Sequence, residues 1–370
     1  MIYKRMPIEK ESPEETGYGN IRYNLAESSV SDYVLTDINL KVRELSLCYT
    51  DHRGKPELRE LIISDQDNLQ GNDVLLTVGA ASALFIVASS LLSVSDHLVV
   101  VRPNYATNIE TARAIGCAIT YIDLEFEKGW QPDIAGIEKA IQSNTKYISI
   151  THPHNPTGIV LSRDSLDAII RIAEQKNIHV LVDETYRDLC FSVPYPLAAS
   201  LSRNAISVSS VSKAYGLPGL RLGWLVTRDE KLMEILLAAK EQIFITNSVL
   251  DEEVAFQFLK EKESHWKMIK QHIGVNYSIL EKWIANEYRL EWVKPGGGVV
   301  CFPRIKNADR FSTQKFYDLL LNKYGTLAGP GHWFEMPDHY MRIGYAWPKT
   351  DELVKGLEGI SKALDESRLE

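Results

Sequence analysis

The sequence is poor in the features that mark secreted, membrane-spanning or zinc-binding proteins. Its 370 residues include only four cysteines, Cys48, Cys117, Cys190 and Cys301, which are widely separated and form no CxxC pair. Scattered cysteines in so long a chain are typical of reduced thiols and exclude a disulfide framework or a zinc site. No run reaches the roughly 18 apolar residues of a membrane helix, and the polar N-terminus has no apolar signal region. We therefore expect a cytoplasmic protein that does not span a membrane.

The sequence also lacks the positive charge of a nucleic-acid-binding protein. Its formal net charge is −8, which argues against a nucleic acid or an anionic membrane as a partner. No GxGxxG follows a predicted strand and no GxxxxGK[ST] occurs, which disfavours a nucleotide-dependent oxidoreductase. The hydrophobic content of 45% and charged content of 24% are those of an ordinary globular protein. The length predicts two domains.

Short apolar segments alternate with helical patterns in the first half of the chain. Strands are predicted at 73–78, 97–101, 119–122, 147–151 and 178–183, and helices at 80–92, 108–115, 134–141 and 163–176. This alternation predicts an α/β fold with a mostly parallel sheet covered by helices on both faces. Because such sheets bind ligands beyond the carboxyl ends of their strands, the residues that follow the strands are the candidates for function.

The pattern changes after Arg228. Long helical patterns from 229 to 287 precede predicted strands at 290–293, 299–302 and 341–346 and predicted helices at 313–324 and 350–364. This predicts a smaller α+β domain reached through a long connecting helix. Weak signals, including a short strand at 21–25, precede the large domain. We divide the chain into an N-terminal segment that packs with the small domain (1–45), a large domain (46–275) and a small C-terminal domain (276–370).

One segment combines the features of a reactive lysine. A β-favouring run at 205–209 ends in small hydroxyl residues and then presents Lys213, and Arg221 follows in an apolar stretch. Loss of water and a nearby guanidinium both lower the pKa of an amine. A lysine with a lowered pKa can form a Schiff base with a carbonyl compound. The alternative is an ordinary surface lysine in a loop between two strands.

A phosphate site is predicted at the start of the helix at 80–92. Gly79, Ala80 and Ala81 open this helix, and the free N–H groups of a helix N-terminus bind phosphate well. Arg221 and Ser210 would add a bidentate contact and a hydroxyl contact to the same phosphate. The alternative for the glycine is an ordinary helix start.

Five further residues follow or lie within predicted strands. Tyr105 would stack on a flat ring or be a half-buried loop tyrosine. Asn155, held extended by the following proline, would donate a hydrogen bond to a phenolate oxygen on such a ring, and Tyr186 would bind the same oxygen. Asp183 would pair with a pyridinium nitrogen of the ring or cap a helix. Arg342, inside an apolar strand, needs an anion, either a substrate α-carboxylate or a structural ion pair.

Two histidines, His152 and His154, lie in the loop HPHNPTG. Their spacing is compatible with metal binding, but no carboxylate or cysteine shares the loop. We interpret both as structural or as supporting the site, and we predict no metal.

The order and spacing of the motifs GAxxAL, PxY, HNPTG, DExY, SxSKxxGLPGxR and hxRIG resemble those of class I/II aminotransferases, pyridoxal-phosphate (PLP) enzymes of fold type I. The resemblance covers roughly residues 49–346. It implies the catalytic residues Lys213, Asp183 and Tyr186; the cofactor-binding residues Gly79, Ala80, Ala81, Tyr105, Asn155, Asp183, Tyr186, Ser210, Lys213, Arg221 and Tyr49; and the substrate-binding residues Arg342 and Asn155. Tyr49 would reach the phosphate of the other subunit, so the resemblance also implies a homodimer with shared active sites.

The resemblance implies transfer of an amino group between an L-amino acid and a 2-oxo acid by a ping-pong mechanism. The same residues would serve β-elimination, decarboxylation or cyclisation, and the motifs do not separate these reactions. A non-catalytic domain of a transcription regulator is disfavoured because 45 acidic-leaning residues leave no room for a DNA-binding domain. Two departures concern the ligands: Ala81 stands where relatives often carry a hydroxyl residue, and residues 24–29 match no subgroup, which leaves substrate specificity open.

Overall fold

The computed structural model describes residues 1–40, 42 and 44–369 of the chain. Its strands are β1 (Tyr23–Asn24), β2 (Val74–Thr77), β3 (His97–Arg102), β4 (Ala118–Asp123), β5 (Thr145–Thr151), β6 (His179–Asp183), β7 (Ala205–Ser210), β8 (Gly223–Val226), β9 (Leu290–Glu291), β10 (Val300–Cys301), β11 (Arg304–Ile305), β12 (Thr326–Leu327), β13 (Gly329–Pro330) and β14 (Met341–Gly344). Its α-helices are α1 (Pro7–Lys10), α2 (Pro13–Thr16), α3 (Pro56–Ile62), α4 (Gly79–Leu91), α5 (Thr107–Ile115), α6 (Ile134–Ala140), α7 (Arg163–Lys176), α8 (Ala198–Leu201), α9 (Glu230–Ile243), α10 (Val249–Lys260), α11 (Lys262–Asn286), α12 (Thr313–Asn322) and α13 (Thr350–Glu366). None of the described helices has the length and apolar character needed to cross a membrane.

Seven of these strands form the central sheet, in the order β2-β8-β7-β6-β5-β3-β4. The strands from β7 to β4 are parallel, whereas β8 is antiparallel to both of its neighbours, β2 and β7. All residues of β2 and nearly all of β6 are buried, as expected for a sheet that is covered on both faces. The predicted α/β fold with a mostly parallel sheet is therefore confirmed.

The two faces of the sheet carry different helices, and strand β3 shows the division. Val99 and Val101 pack in one apolar cluster with buried residues of α6 and α7. Leu98 and Val100, which point the other way, pack in a second cluster with residues of α4, α5 and α9. Because successive side chains of a strand point to opposite faces, a continuous apolar run is required to bury both. Each fully buried aliphatic side chain contributes about 1.5–3 kcal/mol to stability.

The C-terminal part has the predicted helices but shorter strands than predicted. The helical region predicted at 229–287 consists of α9, α10 and α11, and it is followed by the short sheets β10-β14-β13 and β11-β9. The strands β9, β10 and β14 are each shorter than the strands predicted at 290–293, 299–302 and 341–346. Pro295, Pro303 and Pro348 lie just beyond these segments, and a proline cannot donate a hydrogen bond to a strand ladder.

The N-terminal segment is tied to the C-terminal part of the chain. Strand β1, only two residues of the strand predicted at 21–25, pairs in parallel with β12. The amide of Gly344 donates a hydrogen bond of 2.7 Å to the carbonyl of Leu25. A Cβ atom on Gly344 would lie 1.8 Å from the carbonyl oxygen of Glu27. The absence of a side chain at Gly344 therefore allows residues 25–27 to lie directly against β14.

We expect Gly344→Ala to destabilise the protein by about 1–3 kcal/mol, the usual cost of forcing an extra methyl group into a packed site. Urea unfolding followed by tryptophan fluorescence measures the effect. Gly274→Ala is the matched control, because a Cβ at Gly274 in α11 meets no atom within 4 Å, and helix propensity favours alanine there. Equal midpoints for the two variants would contradict the close approach at Gly344.

Candidate active site

The carboxyl ends of the central strands line a cavity of about 430 Å³. Strands β5, β6 and β7 end at Thr151, Asp183 and Ser210, and all three residues line it. The lining also includes most of the residues predicted from the sequence: Ala80, Ala81, Tyr105, Asn155, Tyr186, Lys213, Arg221 and Arg342. Gly79 is not among the lining residues but directly precedes Ala80, which is. Tyr49 does not line the cavity and is 79% exposed on the surface of the subunit.

The register of β8 explains how residues distant in sequence meet at one end of this cavity. Gly223, the first residue of β8, pairs with Thr77 at the end of β2 and with Ser210 at the end of β7. Arg221 lies two residues before Gly223, so the antiparallel strand brings its guanidinium to the start of α4. A parallel β8 would have placed Arg221 at the opposite edge of the sheet.

Gly79 is required where α4 begins. Its φ angle is +75°, and a Cβ atom there would lie 2.6 Å from Nη2 of Arg221. The first N–H groups of α4 have no side-chain cap, and Arg221 has no carboxylate partner among the described residues. Free helix N–H groups beside an unpaired guanidinium form a site for a small polyanion such as a phosphate.

Lys213 lies in the loop after β7, where its backbone carbonyl accepts a hydrogen bond of 3.0 Å from the amide of Val30. The residue is half-buried and lines the cavity. Burial lowers the pKa of the Lys213 amine, Glu27 acts in the opposite direction, and Arg342 lowers the pKa further. The direction agrees with the prediction and burial is the main cause, but the guanidinium that lowers the pKa is that of Arg342, whereas the sequence pointed to Arg221.

Asp183 is buried at the end of β6 without a cation beside it in the described part of the chain. Its Oδ1 accepts hydrogen bonds from the hydroxyl (2.6 Å) and the amide (3.1 Å) of Thr185, and Asn108 donates to its Oδ2 at 3.3 Å. Burial raises the pKa of Asp183, and the bonds from Thr185 and Asn108 oppose this rise. No α-helix begins here, since the next helical residues are the single turn Arg187–Leu189. The alternative that Asp183 caps a helix is therefore wrong.

Arg342 lies inside β14 and is only 4% exposed. Its Nη2 donates to the carbonyl of Ala26 at 2.7 Å and its Nη1 to Oδ1 of Asn155 at 3.2 Å, while its Nε has no hydrogen-bond partner. No carboxylate of the described residues pairs with it, so the structural ion pair considered from the sequence is absent there. The Phe334 ring lies 5.0 Å from the guanidinium carbon. A buried guanidinium with a free N–H group is suited to bind a carboxylate from a ligand.

The hydroxyl of Tyr186 is engaged differently from the prediction. It is buried and donates a hydrogen bond of 2.9 Å to the carbonyl of Ser28, and burial raises its pKa. Asn155, whose Oδ1 accepts from Arg342, has its amide nitrogen free to donate into the cavity. Tyr105 lies half-buried before α5, with its amide bonded to Oδ1 of Asn104.

The two loop histidines are held by protein hydrogen bonds. His154 bonds Pro103 through Nε2 at 2.9 Å and Thr157 through Nδ1 at 2.8 Å, and His152 accepts from the amide of Leu161 at 3.2 Å. Burial lowers the pKa of each histidine to about 4. Within the described residues, no group of three or more His, Cys, Asp or Glu is arranged to hold a metal ion.

Sequence reasoning missed two parts of this site. Asn108 and Thr185 donate hydrogen bonds to the carboxylate of Asp183. The sequence signal that could have identified Asn108 is a polar residue at the start of a helix that covers the sheet. The part played by residues 9–15 was also missed: Glu9, Glu14 and Glu15 line the cavity together with Glu27, and only the stretch 24–29 had been connected with substrate specificity. The helices α1 and α2 are four residues long and each begins with a proline, so their sequences give only weak helix signals and do not predict where this segment lies.

Comparisons with known proteins agree with this geometry. The model of the family "Aminotransferase class I and II" matches residues 29–360. An aspartate aminotransferase of Pyrococcus horikoshii is 29% identical over 330 residues, 86% of this chain and 83% of that protein. A capreomycidine synthase of Streptomyces vinaceus is 28% identical over 360 residues, 94% of this chain and 91% of that protein. The crystal structure of a PLP-dependent aminotransferase from Streptococcus suis superposes with a TM-score of 0.91, at 28% identity and with complete coverage of both chains.

The family match spans most of the chain, and it includes all the strand ends that line the cavity. The expected enzyme class and the expected PLP cofactor are both confirmed. The chain belongs to the class I and II aminotransferases.

Proposed function

We propose that this aminotransferase moves an amino group between an L-amino acid and a 2-oxo acid in two separate half-reactions, with Lys213 as the lysine that holds the cofactor. The observation that carries the proposal is the cavity in which Lys213, Asp183 and Arg342 occur together, each without an ion-pair partner among the described residues. Two buried charged groups and one half-buried amine, none with an ion-pair partner, are costly in one cavity unless a ligand satisfies them.

The residues fit PLP at three points. The start of α4 with Arg221 and Ser210 suits the phosphate, because a Cβ on Gly79 would collide with the guanidinium that completes this site. The buried carboxylate of Asp183 suits a protonated pyridine nitrogen, and Asn108 and Thr185 fix its orientation. The amine of Lys213 suits the carbonyl carbon. Tyr105 would stack on the ring and Asn155 would donate to its phenolate oxygen, whereas Tyr186 would act mainly by fixing Ser28.

When bound, PLP supplies an electron sink that stabilises the negative charge on the Cα of the amino acid after its proton leaves. Arg342 would bind the α-carboxylate and orient the Cα–H bond. The free amine of Lys213 would act as the base that removes the Cα proton. Its lowered pKa helps, because a neutral amine is the form that accepts a proton.

The alternative is another PLP reaction, namely β-elimination, decarboxylation or cyclisation, for which the same residues would serve. The match to a capreomycidine synthase favours cyclisation within this alternative. Transamination is the better-supported reaction, because the family model and the matched aspartate aminotransferase are those of aminotransferases. A role for Arg342 in holding the α-carboxylate would also argue against decarboxylation, since a decarboxylase must release that group.

We further propose the division into residues 1–45, 46–275 and 276–370, with the last boundary inside α11. The pairing of β1 with β12 supports the placement of the N-terminal segment beside the small domain. A homodimer in the cytoplasm completes the proposal: Tyr49, exposed and outside its own cavity, would bind the phosphate in the partner subunit. The four free thiols support a reducing compartment.

In the half-reaction test, we expect an amino acid added alone to the PLP-loaded enzyme to release one equivalent of 2-oxo acid per site and to bleach the visible absorbance. The colour should return only when a second 2-oxo acid is added. Stopped-flow absorbance and mass spectrometry of the product measure both steps. Continuous release of ammonia or carbon dioxide from one substrate would favour the alternative reactions.

A covalent label tests the lysine assignment in the PLP-loaded enzyme before any amino acid is added. Borohydride reduction should attach the pyridoxyl group to Lys213. Lys240 is an internal control, because burial lowers its pKa to about 8 as well, yet its amine bonds the carbonyl of His52 outside the cavity. Peptide mapping that finds the label on Lys240 would overturn the assignment.

We expect Asp183→Asn to retain PLP but to lower kcat by about 100-fold or more, because an amide cannot stabilise a protonated pyridine nitrogen. Glu184→Gln is the matched control. Glu184 is the adjacent carboxylate, buried with its pKa raised to about 7, but it does not line this cavity. Steady-state rates and cofactor content distinguish the variants. An Asp183→Asn enzyme as fast as the Glu184→Gln enzyme would leave Asp183 no catalytic role.

Sedimentation should give twice the chain mass of 41.9 kDa. Tyr49→Ala should weaken PLP binding about 10-fold, the size of one charge-assisted hydrogen bond, whereas Tyr288→Ala, at a second exposed tyrosine, should not. Mixing Tyr49→Ala chains with Lys213→Ala chains then tests sharing, because each mixed dimer would contain one intact site. Failure of the mixture to regain tight PLP binding would mean that sites are not shared.

A further inference from the structure

The N-terminal segment adds an acidic wall to the cavity at the ends of the central strands. Glu9, Glu14 and Glu15, in or beside α1 and α2, line the cavity together with Glu27, which follows β1. The wall is fixed at its outer end, where a carboxylate oxygen of Glu11 accepts hydrogen bonds of 2.8 Å from both His332 and Trp333.

The inner end of the wall is fixed against the residues that would bind substrate. Glu27 follows Ala26, whose carbonyl accepts the hydrogen bond from Arg342. The backbone of Glu27 lies directly against Gly344, where a Cβ would collide with it. The Tyr18 hydroxyl, from a ring that stacks on Trp347 at 6.2 Å, donates to a carboxylate oxygen of Glu27 at 2.9 Å. Glu27 is therefore held beside Arg342 by contacts on both sides.

Three of the four carboxylates in the wall have a partner within the protein, and one of these is Glu27, which accepts the Tyr18 hydroxyl. Glu15 pairs with Arg5 at 2.9 Å, and Glu9 accepts the amide of Met6 at the start of α1. Glu14 and Glu27 have no ion pair in the described part of the chain. Both raise the pKa of Lys213 and of Arg342, so their charge acts on the centre of the cavity.

With the ligands bound, the three cations that line the cavity would be engaged and none would be free to pair with Glu14 or Glu27. Arg221 would bind the phosphate, Lys213 the cofactor carbon, and Arg342, with its buried and unpartnered Nε, the α-carboxylate. No further Lys or Arg lines the cavity within the described residues. The side chain of a substrate held by Arg342 would therefore extend beside Glu27 and Glu14. A dicarboxylic amino acid would place its second carboxylate next to these like charges, which is unfavourable.

We infer that the amino donor is an L-amino acid whose side chain ends in a cation, an ammonium or a guanidinium, which Glu27 and Glu14 bind. The inference rests on the proposed transamination and adds the class of substrate. A charge-assisted hydrogen bond between such a group and a half-buried carboxylate would contribute both affinity and selectivity.

The experiment compares matched substrates in the half-reaction of the PLP-loaded enzyme. Arginine and citrulline have the same shape but differ in charge, lysine and norleucine differ by the terminal ammonium, and glutamate represents the dicarboxylates. We expect the second-order rate constant to favour each cationic member over its neutral match by about 10-fold or more. The 2-oxo acid formed from each amino acid is quantified together with ammonia and carbon dioxide.

Variants test whether the wall is the cause. Glu27→Gln and Glu14→Gln should each reduce the ratio of arginine to citrulline several-fold, whereas Glu358→Gln, at an exposed residue of α13, should leave the ratio unchanged. If Glu27→Gln does not fold, Glu14→Gln and the wild-type ratios still decide the matter, because Glu14 is exposed.

The outcomes separate the inference from the proposed function. Faster 2-oxo acid formation from neutral or acidic amino acids than from cationic ones overturns the inference and leaves transamination standing. Ammonia or carbon dioxide in place of 2-oxo acid overturns transamination. Absence of any reaction with the cationic amino acids overturns the inference whether or not the other amino acids react.

Discussion

The cost of burying charge without a partner is the constraint on which the rest of this structure depends. Asp183, Lys213 and Arg342 line one cavity, and none of them has an ion pair within the described residues. Removing a charge from water costs several kcal/mol unless another charge or hydrogen bonds compensate. The protein compensates only in part, through Thr185 and Asn108 for Asp183 and through Ala26 and Asn155 for Arg342. We propose that bound ligands compensate the rest of this free-energy cost.

Such a site needs a rigid frame, and the central sheet supplies it. Its strands are buried on both faces by separate helix layers, so their ends cannot move to relieve the unpaired charges. The one reversal of direction, at β8, brings Arg221 to the start of α4 and beside the end of β7. Strand register thus brings the anion site close to the ends of β2 and β7, whereas Lys213 is positioned by the loop after β7, whose carbonyl at Lys213 accepts a hydrogen bond from Val30.

The N-terminal segment adds to this frame a part that the sheet cannot provide. It reaches the cavity because β1 pairs with β12 and because Gly344 permits close contact with residues 25–27. The same segment supplies the carbonyl groups of Ala26 and Ser28 that engage Arg342 and Tyr186. In the proposed function, binding of the α-carboxylate and recognition of the substrate side chain would both depend on neighbouring residues of this one short segment.

The sequence by itself determined the alternation of strands and helices, the α/β fold and the family, because these depend on local apolar periodicity and on motifs of contiguous residues. It also placed Asp183 and Lys213 at strand ends, since a polar residue after a buried run is a local signal. Contacts across long sequence separations were decided only by the tertiary structure. Asn108 meets Asp183 across 75 positions, and Ala26 meets Arg342 across 316, and no periodicity records such pairs. The acidic wall belongs to the same class: its helices are too short to give a pattern, and its position follows from the packing of β1 and Glu11 against distant residues.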